Sequence, residues 1–306
     1  MREDFKVLSN DKKTMLSGYY WIPEGEVKAV VQMTHGMIDH ILRYEMVAEF
    51  LNSRGIAVIG YDLLGHGDSI SSEDDRGYFA KKDGKGTLLL DMHMITGLAK
   101  EKWPGLPIFL LGHSMGSFFT RRYLTIWGNE LAGAVVVGTG MTPLPAVLFG
   151  RLVAYAQIKI YGDHHRSNFI DGLCTGGYVK TFKKQGKGSW LNRDEAEVAK
   201  YAADPKCKFI FTSEAYHTLF SILEDLATGK NMDRIPKNLP VVFMSGMDDI
   251  VGDYTKGVLK SYNQFIAAGL TDVDLKFYKD DRHEILFELD KEDVYADLEA
   301  FIEAHI

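Results

Sequence analysis

The chain has 306 residues, 46% hydrophobic, 12% aromatic and 25% charged, with 35 basic against 42 acidic side chains and a net charge of −7. A chain of this length buries a sizeable core without covalent staples, and its composition excludes disordered and collagen-like classes. The mildly acidic balance leaves no basic footprint for nucleic acid and no polybasic stretch for an anionic membrane.

The first residues, Met1 to Val7, carry charges with no long apolar stretch behind them, so no cleaved secretory leader is expected. Thr14 to Ile22, followed by Pro23 to Glu26, reads as one arm of an antiparallel edge hairpin. Short runs rich in β-branched residues then recur at Ala29 to Met33, Ile56 to Tyr61, Ile108 to Leu111, Ala134 to Val137, Val241 to Met244 and Leu275 to Tyr278. Such runs suit strands buried on both faces. Between them lie helical patterns at Tyr44 to Ser53, Gly86 to Lys102, Met115 to Trp127, Tyr254 to Ala268 and Asp290 to Ala304. The alternation predicts an α/β fold: a mostly parallel central sheet with helices on both faces.

From about Met141 to Lys237 the period is helical throughout, as in Val147 to Ile160 and Glu214 to Ala227, with glycine-rich joints at Gly172 to Gly177 and Gly186 to Gly188. Because the strand pattern resumes at Leu239, the expected organisation is a core of residues 1–140 and 239–306 with an inserted helical cap, 141–238. No apolar run approaches the ~20 residues that span a bilayer, so no integral membrane segment is expected and the protein reads as cytoplasmic. Cys174 and Cys207 lack the short spacing of a zinc or redox motif and read as two buried thiols in a reducing compartment.

Directly after the strand ending at Leu111 comes Gly112-His113-Ser114-Met115-Gly116, and a helix pattern follows at once. This G-x-S-x-G sequence sits in the strand, turn and helix context that gives it chemical meaning. A sharp strand-to-helix turn forces its central residue into a strained backbone, and small residues two positions either side relieve the crowding. The hydroxyl of Ser114 then stands at the carboxyl end of the sheet, near the first N–H groups of the new helix. That is a place for a nucleophile attacking a group that becomes an anion.

A serine nucleophile needs a general base, and the base needs an orienting acid, in chain order serine, acid, histidine for this sheet type. His283 follows the last strand in the polar loop Lys279 to His283. After the strand Val241 to Met244, Ser245-Gly246-Met247-Asp248-Asp249 offers two adjacent carboxylates, one to hold the imidazole and the other exposed or capping the next helix; spacing leaves both open. Two N–H donors must face the oxyanion: that of Met115, after the nucleophile, and that of Met37 in the loop Thr34 to His40, where Gly36 lets the backbone come close. His35 and His40 read as loop histidines bonded to backbone. Neither Gly65-His66-Gly67 nor His164-His165 has a third ligand at suitable spacing, so no metal and no organic cofactor is expected.

With these residues the chain resembles the α/β-hydrolase superfamily, and within it the monoacylglycerol lipase and lysophospholipase-like group, which is also grouped with serine peptidases. The markers are His35-Gly36 with Asp39-His40, Tyr61 to Ser69 (YDLLGHGDS), Gly112 to Gly116, Ser245-Gly246-x-x-Asp249-x-Val251-Gly252, and Arg282-His283-Glu284. The resemblance places the triad acid on Asp249, makes Asp62 and His66 loop-fixing residues, and implies a cap covering the nucleophile. The family commonly has glutamate at the position of Asp39, proline at that of Ile250 and a smaller residue at that of Met37. The cap's apolar face is expected from Leu144, Val147, Leu148, Phe149, Leu152, Val153 and Tyr155. The expected activity is hydrolysis of a small-molecule acyl ester, a monoacylglycerol or lysophospholipid, through an acyl-enzyme on Ser114. A peptidase on the same triad would need a cap carboxylate for the substrate ammonium, for which Glu195, Glu197, Glu214, Glu224 and Asp225 are candidates. A third reading is a non-catalytic ligand-binding protein on the same frame. The sequence is silent on oligomeric state.

Overall fold

A computed structural model of the chain describes residues 1–182, 186 and 188–306. Among these residues eight strands form one sheet in the order β1-β2-β4-β3-β5-β6-β7-β8. They are β1 (Arg2–Leu8), β2 (Met15–Trp21), β3 (Ala29–Thr34), β4 (Ile56–Tyr61), β5 (Ile108–His113), β6 (Gly133–Val137), β7 (Val241–Gly246) and β8 (Val273–Tyr278). β1 and β2 run antiparallel to each other and β2 antiparallel to β4, whereas β4, β3, β5, β6, β7 and β8 are parallel. The six expected strands all form.

The hairpin differs in one respect from expectation. The partner of β2 is β1, which precedes it, and the turn lies at residues 9–14 rather than at Pro23 to Glu26. In β1 exposed and half-buried residues alternate strictly, with Phe5 and Val7 packed against the core. A half-solvated edge strand carries only this weak alternation, and its charged residues mask it.

The strands β3, β4, β5, β6 and β7 are buried along their whole length. Helices α1 (Glu45–Ser53) and α9 (Lys291–Glu303) cover one face, on a core that includes Val31, Val58, Leu111 and Val137. Helices α2 (Gly84–Lys102), α3 (Met115–Trp127) and α8 (Lys256–Ala267) cover the other, where Val30, Ile59, Leu110 and Phe243 point. Alternate residues of each strand thus feed opposite cores, which is why these strands read as continuous apolar runs.

Between β6 and β7 lie α4 (Leu144–Tyr161), α5 (Asn168–Thr181), α6 (Glu195–Ala203) and α7 (Ser213–Ala227). Among the described residues of this segment no strand forms, only an isolated bridge between Arg166 and Thr212. Helix α7 is buried along most of its length because α4 lies on one side of it and α3 and α2 on the other. At the closest approach Gly150 of α4 meets the Phe220 ring, and a Cβ there would overlap it. The expected joint at Gly172 to Gly177 does not exist: those residues sit inside α5. Ser167 caps that helix, accepting from Ile170 N at 3.1 Å, and Ile170 anchors it in the core, which outweighs the ~1 kcal/mol that each helical glycine costs. The expected joint at Gly186 to Gly188 includes Lys187, which lies outside the described residues.

Candidate active site

β5 ends at His113 and α3 begins at Met115, so Ser114 is the whole turn. Its backbone sits at φ 53°, ψ −119°, a conformation costly for a residue with a Cβ. The crossing is tight: a Cβ on Gly116 would overlap the Thr34 carbonyl, and one on Gly112 the Gly116 carbonyl. The two glycines of the motif are therefore required by contact with neighbouring backbone.

The Ser114 hydroxyl lies 2.8 Å from His283 Nε2, and His283 Nδ1 lies 3.0 Å from both carboxylate oxygens of Asp249. Asp249 is fully buried and accepts a further bond from Val251 N at 2.8 Å, so its orientation is fixed from two sides. Burial opposes a charge on His283, but the Asp249 carboxylate outweighs it and raises the imidazole above its ordinary 6.5. Asp248 is exposed and does not cap the next helix: that position belongs to Thr255. Spacing had left the two aspartates open, and only Asp249 reaches the imidazole.

Met37 and Met115 both line the space above Ser114, and among the described residues neither backbone N–H has a hydrogen-bond acceptor. The neighbouring Ile38 has φ 54°, unusual for a β-branched residue, and Tyr201 Oη donates to its carbonyl at 2.9 Å. His35 is structural: its ring accepts from Leu63 N at 2.9 Å and lies 2.8 Å from the Gly36 carbonyl. Asp62 accepts from the backbone of Ile41 and Asp68 at 2.9 and 2.8 Å, and buried His66 packs among Phe79, Phe209 and Phe211. His40 does not bond to backbone through its ring; its Nε2 pairs with Asp204 at 2.8 Å.

Behind Ser114, His283 and Asp249 lies a buried polar network that the sequence reading did not assemble. Arg43 grips both oxygens of Glu284 at 2.9 and 3.0 Å and donates to Asp39 at 3.0 Å. Tyr44 Oη is 2.7 Å from both Asp39 and His113 Nδ1, and His113 Nε2 is 3.2 Å from the His283 carbonyl. Burial alone would raise the Asp39 carboxyl, but Arg43, His35 and the Tyr44 hydroxyl together hold it well below the usual range. Burial and the nearby His283 push His113 down to about 4, so it stays neutral. The network joins the loop of Met37, the residue before Ser114 and the residue after His283. Asp39 and Glu284 were visible as motif residues; Arg43 was missed, because Asp39 lies before the short helical turn Ile41–Tyr44 and no helical spacing marks the pair.

A cavity of about 400 Å³ opens over Ser114, within the range of small-molecule sites. Its wall is mostly apolar. Phe118 rises from α3, while Phe149, Leu219, Phe220 and Leu223 come from α4 and α7. Of the seven residues expected to form an acyl-lining face, only Phe149 lines this cavity; Val147 is buried in the core, and Leu148, Leu152 and Tyr155 are exposed. An α4 that rests on α7 turns just one stripe inward, so its remaining apolar residues face away. Trp190 and Tyr178 were missed: the Trp190 ring sits 5.5 Å from the His283 ring and 5.2 Å from Tyr178. Cys174 is only partly buried and lines the cavity, with its thiol pushed up to about 12 by burial and Asp171.

None of the five carboxylates considered for an ammonium lines the cavity. Glu214 accepts from the backbone of Phe79 and Ala80, Glu224 pairs with Arg151, and Asp225 with Lys85. The carboxylates that do line it, Asp39 and Glu284, are both held by Arg43. His164 is bonded to Asp163 and Asp75 and stacks on Tyr78.

Known proteins resemble this chain along nearly its whole length. A monoglyceride lipase homolog of Monkeypox virus is 28% identical over 290 residues, covering 92% of each chain. The monoglyceride lipase of Homo sapiens is 26% identical over 296 residues, covering 94% of this chain and 86% of that one. A thermostable carboxyl esterase from Bacillus coagulans, solved with glycerol, superposes with a TM-score of 0.92 at 24% identity, covering 99% and 98% of the two chains. The model of the "serine aminopeptidase, S33" family matches residues 25–290. The chain is an α/β-hydrolase similar to the monoglyceride lipases, and it belongs to the S33 serine aminopeptidase family.

Proposed function

We propose that this α/β-hydrolase, a carboxylic ester hydrolase of lipase type, cleaves monoacylglycerols or similar lipid monoesters through an acyl-enzyme on Ser114. The observation that carries the reading is the unbroken chain Ser114 Oγ, His283, Asp249 at 2.8 and 3.0 Å, opening on an apolar cavity. In the first half-reaction Ser114 Oγ bonds to the acyl carbon while His283 Nε2 takes its proton. Asp249 stabilises the imidazolium, and the N–H groups of Met37 and Met115 bind the oxyanion. His283 then gives its proton to the leaving alcohol. Water, deprotonated by the same nitrogen, releases the acid and frees Ser114.

The segment 141–238 acts as the cap over this reaction. Its aromatic and aliphatic wall suits an acyl chain, and the glycerol-sized alcohol sits toward the polar side near Asp39 and Arg43. Ester hydrolysis is favoured over amino-terminal peptide cleavage because among the described residues no uncommitted carboxylate lines the cavity to hold an ammonium. Among the described residues no helix is long and apolar enough to cross a membrane, so the substrate is met as a dispersed monoester or through contact with the cap.

The test is twofold. A fluorophosphonate should label the protein one to one, and Ser114→Ala should abolish labelling without lowering the melting temperature. Hydrolysis of esters of increasing acyl length, run beside an aminoacyl amide, should favour the longer esters; cleavage of the amide alone would overturn the substrate class.

A further inference from the structure

We propose that His40, Asp204 and Cys207 form a binding site for one divalent metal ion of the zinc class. One ligating atom from each lies within 4.8 Å of the other two. Imidazole, carboxylate and thiolate are the donor types that zinc takes, at bond lengths of about 2.0–2.3 Å. Neighbouring corners of such a tetrahedron are roughly 3.5 Å apart, so the three groups need only small shifts to share an ion. His40 Nε2 and Asp204 Oδ2, now 2.8 Å apart, would part by about 0.7 Å to admit it.

Two further observations favour the site. The ligands are held rigidly. Asp204 and Cys207 share one tight turn, Pro205–Cys207, closed by Cys207 N donating to the Asp204 carbonyl at 3.1 Å, and Lys206 N donates to Asp204 Oδ1 at 2.8 Å. The His40 backbone donates to Asp39 at 2.8 Å. Finally, the charges suit a dication. The nearby cations are turned elsewhere, Arg43 to Asp39 and Glu284 and Lys206 Nζ to Asp68, so thiolate and carboxylate balance the ion.

The three ligands are not part of the cavity wall, so the ion is not a catalytic group. It would staple the loop that carries Met37, three residues before His40, to the chain between α6 and α7. Asp204 is partly exposed and gives the ion its path in. Binding forms a bond from Cys207 Sγ to the metal and releases the thiol proton to solvent, so affinity falls as pH falls.

The probe is cobalt(II), whose thiolate charge-transfer band in the near ultraviolet reports a sulfur ligand, with zinc as competitor. The full chain should bind one cobalt with that band, and zinc should abolish it. Cys207→Ser should lose the band, His40→Gln should weaken binding at least tenfold while keeping it, and Cys174→Ser should change neither. Zinc at a hundredfold excess over its Kd should raise the melting temperature by about 4 °C in the parent and not in Cys207→Ser. Absence of the band in the parent, its survival in Cys207→Ser, or undiminished binding in His40→Gln would overturn the site. Should Cys207→Ser fail to fold, His40→Gln and Cys174→Ser decide the matter.

Discussion

The carboxyl edge of the sheet and the segment between β6 and β7 face each other across one cavity, but they are built by different means. On the sheet side Ser114 stands one residue after β5, Asp249 three after β7 and His283 five after β8. Each is fixed by backbone: the strained turn at Ser114, the Val251 N–H on Asp249, and the Asp281 carbonyl, which accepts from Asp248 N. The facing segment is joined to that edge mostly by side chains, such as Tyr201 on Ile38, Asp204 on His40 and Trp190 against His283, with one backbone link there from Glu284 N to the Leu191 carbonyl at 2.8 Å. Backbone at strand ends holds atoms to the tolerance that chemistry needs. Side-chain contacts can be exchanged one at a time, so this is where an enzyme of the family can change what it accepts.

Substitutions on the sheet side should therefore be severe and selective for turnover. Ser114→Ala should lower kcat/KM on the order of 10⁶-fold with the fold intact by circular dichroism. Asp249→Asn should cost about 10⁴-fold in kcat by leaving the imidazole in the wrong tautomer, while Asp248→Asn stays within about threefold. Comparable losses for the two would place the acid elsewhere. The same side fixes the pH response. Asp249 raises His283, and catalysis needs the neutral imidazole, so kcat/KM should fall about tenfold per unit on the acid side, with its midpoint above 6.5. A flat profile between pH 5 and pH 8 would remove histidine as the base.

Where the two sides meet, the effect should be smaller. Tyr201→Phe leaves the Ile38 carbonyl without its donor and lets the strained φ of 54° relax, moving the Met37 N–H. One lost bond to a buried acceptor is worth roughly 1–1.5 kcal/mol, about tenfold in kcat with KM little changed. An effect on KM alone would show that Tyr201 shapes the cavity and does not position the loop.

The same contrast explains what could be read from the chain. Strands buried on both faces announce themselves as apolar runs, and the residues at their ends then fall into place, which is how Ser114 and His283 were singled out. Asp249 was separated from Asp248 only by family pattern, because a one-residue difference in a loop depends on which carboxylate the turn aims inward. β1 was missed because an edge strand with one wet face carries alternating charges. The roof was read least well. Helical period located α4 and α7, but which stripe of α4 faces the cavity depends on how it crosses α7 at Gly150, and no pattern within α4 records that. Trp190 lies in an irregular turn with no period to place it, and its contact with His283 spans 93 positions of sequence.

The smallest predicted effect tests that last point. Phe149 and Leu152 are one helical turn apart on α4 and both more than half exposed, yet only Phe149 borders the cavity. Burying half of such a side chain against an acyl chain is worth about 1 kcal/mol, so Phe149→Ala should raise KM for a long-chain monoester about fivefold. Its kcat should hold, because the contact is made equally in the ground and transition states. Leu152→Ala, assayed on a dissolved monomeric ester, should leave both constants within about twofold. Equal effects from the two would mean that the acyl chain runs along the outside of α4, and the side of the helix that meets substrate would have to be reassigned.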